Sequence, residues 1–356
     1  MGRLGCLITI KYVNYNTMKL PEVQKSIERV EKLLPAATCE EIDKAITIVQ
    51  QIKENALMAL ICHEVSRKIA DASNKSLKIP EKEPLDDHEV FLPHIVKSLL
   101  HEIQENLTSS PGLVPHGILL AGPAGTGKSV IAHHIAAKVG VPILQLAIPT
   151  TGDPNSASKL ESMFAAIKSH KPCIVIIEDI DQYKPLSIDW RSADSNELAF
   201  KRTFHSSIAD DHLMQEVLFI ATTRYPERID SHLITSHRFS EVYAILPPKT
   251  LTEQVNLFRA IWYQTEPVNL PEIDDQKLEA LFKDFPAHIT GSDFKKIIID
   301  AKRLASKKTE KTDIMNILYD MKESIINDKY LRKLDDFDHM IRSAIDADNT
   351  SWKVEE

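Results

Sequence analysis

The chain has 356 residues and a formal net charge of −8, a length that allows one large domain with further segments around it. No apolar run approaches the roughly twenty residues of a membrane-spanning helix, and the negative charge argues mildly against nucleic acid as the partner. The cysteines Cys6, Cys39, Cys62 and Cys173 have no metal-ligand spacing and favour a reducing, cytoplasmic compartment.

Residues 1–18 are predicted to be a disordered tail. The apolar run from Leu4 to Ile10 is short and is not followed by a small-residue cleavage site, so it is a poor signal peptide. Met18 stands just before the first helical pattern. The sequence leaves open whether Met1 or Met18 is the true start.

An α-helical arm, a hairpin of two helices, is predicted for residues 19–74. Thr38 and Glu41 have capping-box spacing at the start of the second helix. Apolar residues keep three-four spacing along both helices, at Val23, Ile27, Val30 and Leu34 and then at Ile42, Ala45, Ile46, Val49 and Ile52. Such an arm either recruits a partner or buttresses the neighbouring domain.

A linker is predicted for residues 75–93, because Pro80 and Pro84 interrupt a charged stretch with little periodicity. The next segment, His94 to Leu107, has one apolar face and predicts a helix in front of the main domain.

The most informative segment follows, and it satisfies the phosphate-loop pattern G-x-x-x-x-G-K-[ST]: Gly122-Pro123-Ala124-Gly125-Thr126-Gly127-Lys128-Ser129. The apolar run 117–121 predicts a buried strand before this loop, and residues 130–139 predict a helix after it. Backbone N–H groups and the positive end of that helix bind phosphate, Lys128 adds a cation, and Ser129 offers a hydroxyl to Mg²⁺. The sequence therefore predicts a nucleoside-triphosphate site.

A second apolar strand, 174–177, ends in the carboxylates Glu178, Asp179 and Asp181. Acidic groups at the carboxyl end of a parallel strand lie beside the phosphate loop. One of them can hold the water shell of the metal and the next can orient the attacking water. This pattern is typical of a Walker B strand.

Together the motifs resemble those of the AAA family of ATPases over roughly residues 110–305. The resemblance implies ATP and Mg²⁺ as ligands. The family normally has Asp and then Glu at the acidic pair, so Glu178 takes the metal role here and Asp179 the role of the catalytic carboxylate. Because Asp is one methylene shorter, and a misplacement of about 1 Å can cost roughly a hundredfold in rate, we expect slow hydrolysis.

Two further positions depart from the family pattern. After the strand 217–223, Arg224 stands where the family has the Asn called sensor 1. An arginine can contact a γ-phosphate, but it cannot accept a hydrogen bond from water. Of two family arginines that face the neighbouring subunit's nucleotide, Arg238 remains and Thr235 replaces the other. Arg238 either reaches that nucleotide or forms a local contact.

Gly291 and Ser292 resemble the family's sensor 2 region, where small residues let a helical lid approach the nucleotide. The lid is predicted over 249–327, with a core of Leu257, Ile261, Leu281 and residues 297–299. A C-terminal helix and tail are predicted for 328–356, with the end frayed from Asp348.

Residues 148–158 lie where unfolding members of the family carry an aromatic pore loop, and they include no aromatic residue. Bulky apolar side chains grip extended polypeptide, so remodelling without threading is expected instead. A basic stretch in the lid keeps a DNA-loading ATPase as a minority hypothesis, although a solvated helix face is the commoner explanation. The stretch consists of Lys295, Lys296, Lys302, Arg303, Lys307, Lys308 and Lys311.

The predicted fold class is α/β: a P-loop NTPase parallel sheet over 94–248 with an AAA-type helical lid, preceded by the α-helical N-terminal arm. The predicted function is slow, Mg-ATP-dependent remodelling of a protein partner by a homo-oligomeric ring, which is a hexamer by resemblance. The alternatives are a hydrolysis-deficient ATP-dependent switch or scaffold, and the DNA-associated ATPase. The predicted catalytic residues are Asp179, Glu178, Lys128, Arg238 and Arg224. The predicted nucleotide ligands are Gly122 to Val130 with Gly291 and Ser292, and the predicted metal ligands are Ser129 and Glu178.

Overall fold

The computed structural model describes residues 77–78, 90–107, 114–146, 155–169, 171–182, 194–210, 216–235, 238–265, 275–285, 289–307, 314–326 and 352–353. The tail predicted for 1–18 and the helical arm predicted for 19–74 lie outside the described residues. So does the C-terminal helix predicted after residue 327.

The described residues alternate between strands and α-helices as far as β5, and four successive α-helices follow β6. The strands are β1 (Leu77–Lys78), β2 (Gly117–Ala121), β3 (Ile143–Leu146), β4 (Cys173–Ile177), β5 (Val217–Thr223), β6 (Glu241–Ala244) and β7 (Trp352–Lys353). The helices are α1 (His94–Asn106), α2 (Lys128–Val139), α3 (Ser156–Ser169), α4 (Ser195–Ile208), α5 (Leu251–Thr265), α6 (Asp275–Phe282), α7 (Gly291–Lys307) and α8 (Ile314–Ile326).

The strands form one sheet in the order β1-β3-β4-β5-β2-β6-β7. The five central strands, β3-β4-β5-β2-β6, are parallel to their neighbours, and only β1 is antiparallel, against β3. Every residue of β2, β4 and β5 is buried, as expected where helices cover both faces of a parallel sheet. The predicted α/β fold is therefore confirmed.

Helices pack on both faces of the sheet, and the residues of β4 alternate between the two layers. Ile174 and Ile176 join the apolar cluster made by α1 and α2. Cys173, Val175 and Ile177 join the cluster made by α3 and α4. Because side chains alternate along a strand, Glu178 follows Ile176 onto the side of α2.

Cys173 lies in the core, as predicted, and is completely buried. Burial raises the pKa of its thiol to about 12, so the sulfur stays protonated and unreactive.

Helices α5 to α8 form a separate apolar cluster, which corresponds to the predicted lid. Phe258 is at its centre, with ring centroids 5.4 Å from Phe282 and 5.5 Å from Phe294 in edge-to-face packing. Ile261 and Leu281, both predicted for this core, are buried in it. The Leu257 side chain is partly buried and packs against the same cluster.

The two outermost strands differ from the sequence prediction. Leu77–Lys78 lies in the predicted linker and pairs with β3, whereas Trp352–Lys353 lies in the segment predicted to be frayed and pairs with β6. The edges of a sheet present unpaired backbone groups that any extended segment can meet. Pairs of only two residues have no periodicity from which to predict them.

The beginning of α2 also differs, since the helix starts at Lys128 and not at residue 130. None of the described helices is long and apolar enough to cross a membrane.

Candidate functional site

The loop between β2 and α2 has the backbone that phosphate binding requires. Gly125 and Gly127 adopt left-handed conformations, with φ of +86° and +93°. Residues with a Cβ rarely adopt such angles, so glycine is needed at both positions. Gly127 is the N-cap of α2, whose first-turn N–H groups therefore point into the loop. This arrangement leaves backbone donors directed at a bound anion.

The Lys128 side chain is buried beneath the loop. Its Nζ atom donates hydrogen bonds to the carbonyl oxygens of Gly122 and Pro123, each at 2.7 Å. Burial lowers the pKa of this amine to about 8, and Arg224 lowers it further, while Asp179 and Asp181 act in the opposite direction. The ammonium group is thus already within the loop that would hold a phosphate.

The Glu178 carboxylate lies against α2 and β3, and each oxygen has its own neighbour. Glu178 Oε2 accepts a hydrogen bond from Gln145 Nε2 at 3.0 Å. Glu178 Oε1 lies 3.4 Å from the Nε2 atom of His133, a buried side chain of α2. That nitrogen is within ion-pair distance, but its direction falls short of a hydrogen bond. The carboxylate is thus held from two elements.

Asp179 has the left-handed conformation, with φ of +46°. Its backbone N–H donates to the hydroxyl of Thr222 at 2.9 Å, which fixes the turn against β5. Its Oδ2 atom accepts from Gln182 Nε2 at 3.2 Å and from Arg224 Nη2 at 3.4 Å. The predicted catalytic carboxylate is therefore paired with the arginine at the sensor 1 position.

Asp181 fixes the end of β5. Its Oδ1 atom accepts from the Thr223 hydroxyl at 2.7 Å and from the Arg224 backbone N–H at 3.2 Å. The Arg224 side chain remains about half exposed, with 47% of its surface accessible. Asp181 thus anchors the backbone from which Arg224 reaches Asp179.

A cavity of about 300 Å³ is lined by residues of both the sheet domain and the lid. Its polar side is formed by the loop together with Asp179 and Arg224, and its apolar side by Val90, Phe91 and the lid residues Leu257 and Ile261. The predicted ligands that line it are Ala124, Gly125, Thr126, Gly127, Lys128, Ser129, Val130, Gly291 and Ser292. A polar end beside an apolar end suits a phosphate chain attached to a base.

The first turn of α7 contacts the phosphate loop directly. The Ser292 N–H donates to the Gly125 carbonyl at 3.2 Å. A Cβ atom on Gly125 would lie 1.8 Å from Ser292 Oγ. The Thr290 N–H and hydroxyl both donate to Asp293 Oδ2, at 2.9 and 2.6 Å, and this cap fixes the start of the helix. Gly291 and Ser292 therefore lie against the phosphate loop, and their contact with a nucleotide stays a prediction.

Residues 118–246 match the family model described as "ATPase family associated with various cellular activities (AAA)". The chain contains an AAA domain. The matched residues include strands β3 to β6, all but the first residue of β2, and the phosphate loop, with Asp179 and Arg224 of the polar side of the cavity.

Known proteins resemble parts of the chain. It is 30% identical to "Nuclear valosin-containing protein-like" of Mus musculus over 199 residues, which cover 53% of the chain and 23% of that protein. It is 27% identical to "ATP-dependent zinc metalloprotease FtsH" of Thermotoga maritima over 205 residues, with 55% and 32% covered. It is 24% identical to "ATP-dependent zinc metalloprotease FtsH 3" of Symbiobacterium thermophilum over 289 residues, with 78% and 44% covered. The chain thus spans between 23% and 44% of the length of these relatives.

Not all the predicted site residues of the AAA domain line the cavity. Gly122 and Pro123 lie behind it, where their carbonyls hold Lys128. Glu178 lies between α2 and β3 and is not among the lining residues. Arg238 is also outside the lining, and it donates to the carbonyl oxygen of His232.

The segment around Arg238 is tied to α4. Asp230 is buried and forms an ion pair with Lys201. His205 is partly buried beside them, and this burial, followed by the charge of Arg238, lowers its pKa to about 4. The local contact of Arg238 is thus present, and its reach toward a neighbouring subunit stays a prediction.

Sequence reasoning missed two groups of residues in the AAA domain. Val90 and Phe91 were assigned to a linker, yet they line the apolar side of the cavity. His133 and Gln145 were not assigned to the site, yet both approach Glu178. One signal was available, because His133 follows Ser129 by four residues and so shares its face of α2.

The donors present fit a magnesium ion. Ser129 and Glu178 offer oxygen atoms, the ligands that Mg²⁺ prefers, and Mg²⁺ commonly uses only one or two protein groups beside waters and substrate phosphates. Within the described ranges, no group of three or more His, Cys, Asp or Glu side chains is arranged to hold a metal ion.

Proposed function

We propose that this chain is a Mg-ATP-binding AAA ATPase that hydrolyses ATP slowly and couples hydrolysis to remodelling of a protein partner. The observation that carries the proposal is the Lys128 ammonium group inside a loop with left-handed glycines, at a cavity that also contains Asp179 and Arg224. The matched AAA domain supports nucleotide binding and hydrolysis as the general activity.

Binding begins at the loop. A β-phosphate would accept hydrogen bonds from the backbone N–H groups of the loop and the first turn of α2. Lys128 Nζ would exchange the carbonyls of Gly122 and Pro123 for phosphate oxygens, which are stronger acceptors because they are charged. The Ser129 hydroxyl and the Glu178 carboxylate would hold Mg²⁺, which supplies positive charge to the phosphate chain during transfer.

Slow hydrolysis follows from the surroundings of Asp179. This carboxylate is shorter than the Glu of the family, and in the structure its Oδ2 atom faces Arg224. A carboxylate occupied by a guanidinium is less available to orient a water molecule. The conformation gives a reason for the short residue, because Asp tolerates a φ of +46° better than Glu does.

The ring and the partner rest on resemblance. A homo-oligomeric ring, with six subunits by family resemblance, would allow Arg238 to contact a neighbour's nucleotide and would explain why this residue is absent from its own cavity. A remodelling role and a reducing, cytoplasmic location are part of the same proposal. The peptidase activity in the names of two relatives is not transferred, since the sequence lacks an H-E-x-x-H motif.

An ATP-dependent switch with little or no hydrolysis is the second candidate. The Asp179–Arg224 pair and the substitution at Thr235 favour it, because both affect hydrolysis more than binding. A DNA-associated role has less support. In the basic stretch, Arg303 pairs with Asp300, and Lys302 lies 5.2 Å from the ring centre of Trp262.

Steady-state ATP hydrolysis, measured over a series of protein concentrations, tests the proposal. We expect a rate per subunit that rises with concentration and is lost in both Lys128→Ala and Asp179→Asn. The concentration dependence reports assembly, and Asp179→Asn removes the charge of the carboxylate at nearly constant shape.

A different result would favour the switch. ATP binding that is lost in Lys128→Ala, with no turnover of the wild type above that variant, would contradict the ATPase and support the switch. Absence of ATP binding by the wild type would contradict both candidates.

A further inference from the structure

The Glu178 carboxylate is contacted from both sides by residues outside the phosphate loop and the acidic motif. Gln145 Nε2 donates to its Oε2 atom at 3.0 Å. His133 Nε2 lies 3.4 Å from its Oε1 atom. The His133 side chain is 9% exposed and that of Glu178 is 26% exposed, so water competes only partly for these contacts.

The sheet register explains why Gln145 reaches this carboxylate. Gln145 on β3 is paired with Ile176 on β4. Residues paired across two strands point to the same face, and Glu178 follows Ile176 by two residues on that face. Gln145 and Glu178 are therefore diagonal neighbours on the side of the sheet that α2 covers.

The helix explains the second contact. His133 stands four residues after Ser129 on α2, so the two side chains share one face at a rise of about 6 Å. The Glu178 carboxylate beside His133 therefore lies against the face of α2 that carries Ser129. Because Mg²⁺ retains several of its waters, a metal held by Ser129 would reach this carboxylate through a bound water.

A glutamate at this position requires more restraint than an aspartate would. It has one more rotatable bond, so fixing a Glu side chain costs more rotamer entropy. The hydrogen bond from Gln145 and the close contact with His133 restrict that freedom before any ligand binds. Gln145 donates in any state of protonation, whereas His133 donates only when its Nε2 atom carries a proton.

We propose that His133 and Gln145 are positioning residues that hold the Glu178 carboxylate at the distance from Ser129 required by the water shell of Mg²⁺. The inference rests on the proposed function, since it assumes that Mg-ATP binds at the phosphate loop. Neither side chain lines the cavity at the phosphate loop. Both act through Glu178, as residues behind a metal ligand commonly do, where their loss weakens metal affinity 10- to 100-fold.

The test separates metal binding from nucleotide binding. Binding of a fluorescent ATP analogue is measured first in EDTA and then over a titration with MgCl₂, with the full chain. Affinity in EDTA reports the loop and Lys128, and also shows that the variant is folded. The Mg²⁺ concentration that gives half of the added affinity reports the Glu178 side of the site.

The variants change which side chains contact the Glu178 carboxylate oxygens. Gln145→Ala removes the hydrogen-bond donor to Glu178 Oε2, and His133→Ala removes the neighbour of Oε1. His133→Gln is the rescue variant, because a glutamine amide can reach the place of the imidazole Nε2 atom. The control is His134→Gln, which introduces the same residue at a buried position rotated by about 100° around α2.

We expect the Mg²⁺ midpoint to rise about tenfold or more in His133→Ala and Gln145→Ala. Affinity in EDTA should not change, and His133→Gln and His134→Gln should remain near the wild type. An unchanged midpoint in His133→Ala and Gln145→Ala would overturn the inference. Equal losses with and without Mg²⁺ would also overturn it, because they would assign both residues to the fold alone. A wild type that binds no analogue would overturn the proposed function together with this inference.

Discussion

The two halves of the nucleotide site differ in how closely they keep the AAA pattern. The phosphate-binding half, Gly122 to Ser129, is complete, and its backbone already has the left-handed glycines it requires. The hydrolytic half departs at Glu178, Asp179 and Arg224. Phosphate binding depends on a backbone shape, whereas hydrolysis depends on a few side-chain atoms. The two properties can therefore change independently, and binding and turnover have to be measured separately.

The largest effect is expected in the phosphate-binding half. Lys128→Ala removes an ammonium group whose charge-assisted bonds are worth about 1.5 to 3 kcal/mol each. Because about 1.4 kcal/mol is a factor of ten, we expect ATP affinity to fall about 100-fold or more. Isothermal titration calorimetry checks this result. Lys138→Ala, at the other end of α2, is the charge-matched control. If Lys128→Ala retained its ATP affinity, the phosphate loop would not be the binding half of the site.

Gly125→Ala is expected to have the next largest effect. The new Cβ would lie 1.8 Å from Ser292 Oγ, in a residue with a φ of +86°. The lid would have to move from the loop, and we expect ATP affinity to fall about tenfold, since backbone strain of this kind costs about 1 to 3 kcal/mol. Fluorescent-nucleotide titration measures the change.

Gly140→Ala provides the matched control for Gly125→Ala. Gly140 also has a left-handed conformation, with a φ of +75°, but an added Cβ would meet no atom within 4 Å. It should lower the melting temperature and leave ATP affinity unchanged. Equal losses of affinity in both variants would show that strain, and not the contact with Ser292, controls binding.

The dependence of ATP affinity on pH tests the phosphate-binding half, because it follows the protonation of Lys128. Burial, followed by the charge of Arg224, lowers the pKa of this amine to about 8 in the free protein. The charged form binds phosphate and exists below that pKa, so affinity should be constant below pH 8 and should fall up to tenfold per pH unit above it. Titrations between about pH 7 and 10 check this expectation. Lys128→Ala should show no such fall, and a fall in that variant would assign the titration to another group.

Much of the fold and of the phosphate-binding half could be predicted because their signals are local. The run 117–121, the phosphate-loop glycines and Lys128 are close together in sequence, and the resemblance to the AAA family implied the lid, with Ile261 and Leu281 in its core. The hydrolytic half was less predictable. The neighbours of Glu178 come from α2 and β3. The four-residue spacing from Ser129 is a signal for His133, but no local pattern indicates Gln145. The positive φ of Asp179, whose N–H donates to Thr222 on another strand, likewise has no signal in the sequence.

The smallest predicted effect concerns Arg224. It tests whether the contact of Arg224 with Asp179 limits the rate of ATP hydrolysis. Arg224→Asn removes the partner of Asp179 Oδ2 and introduces an amide that can accept a hydrogen bond from water. Exposed ion pairs contribute about 0.2 to 1 kcal/mol, so we expect turnover to rise by a factor of up to about five. Single-turnover hydrolysis at saturating ATP measures the chemical step. Asp179→Asn in the same background should abolish the gain, because the amide cannot replace the released carboxylate. If Arg224 instead serves the γ-phosphate, turnover will fall in Arg224→Asn, and the departures in this half would then be compensations that sustain hydrolysis.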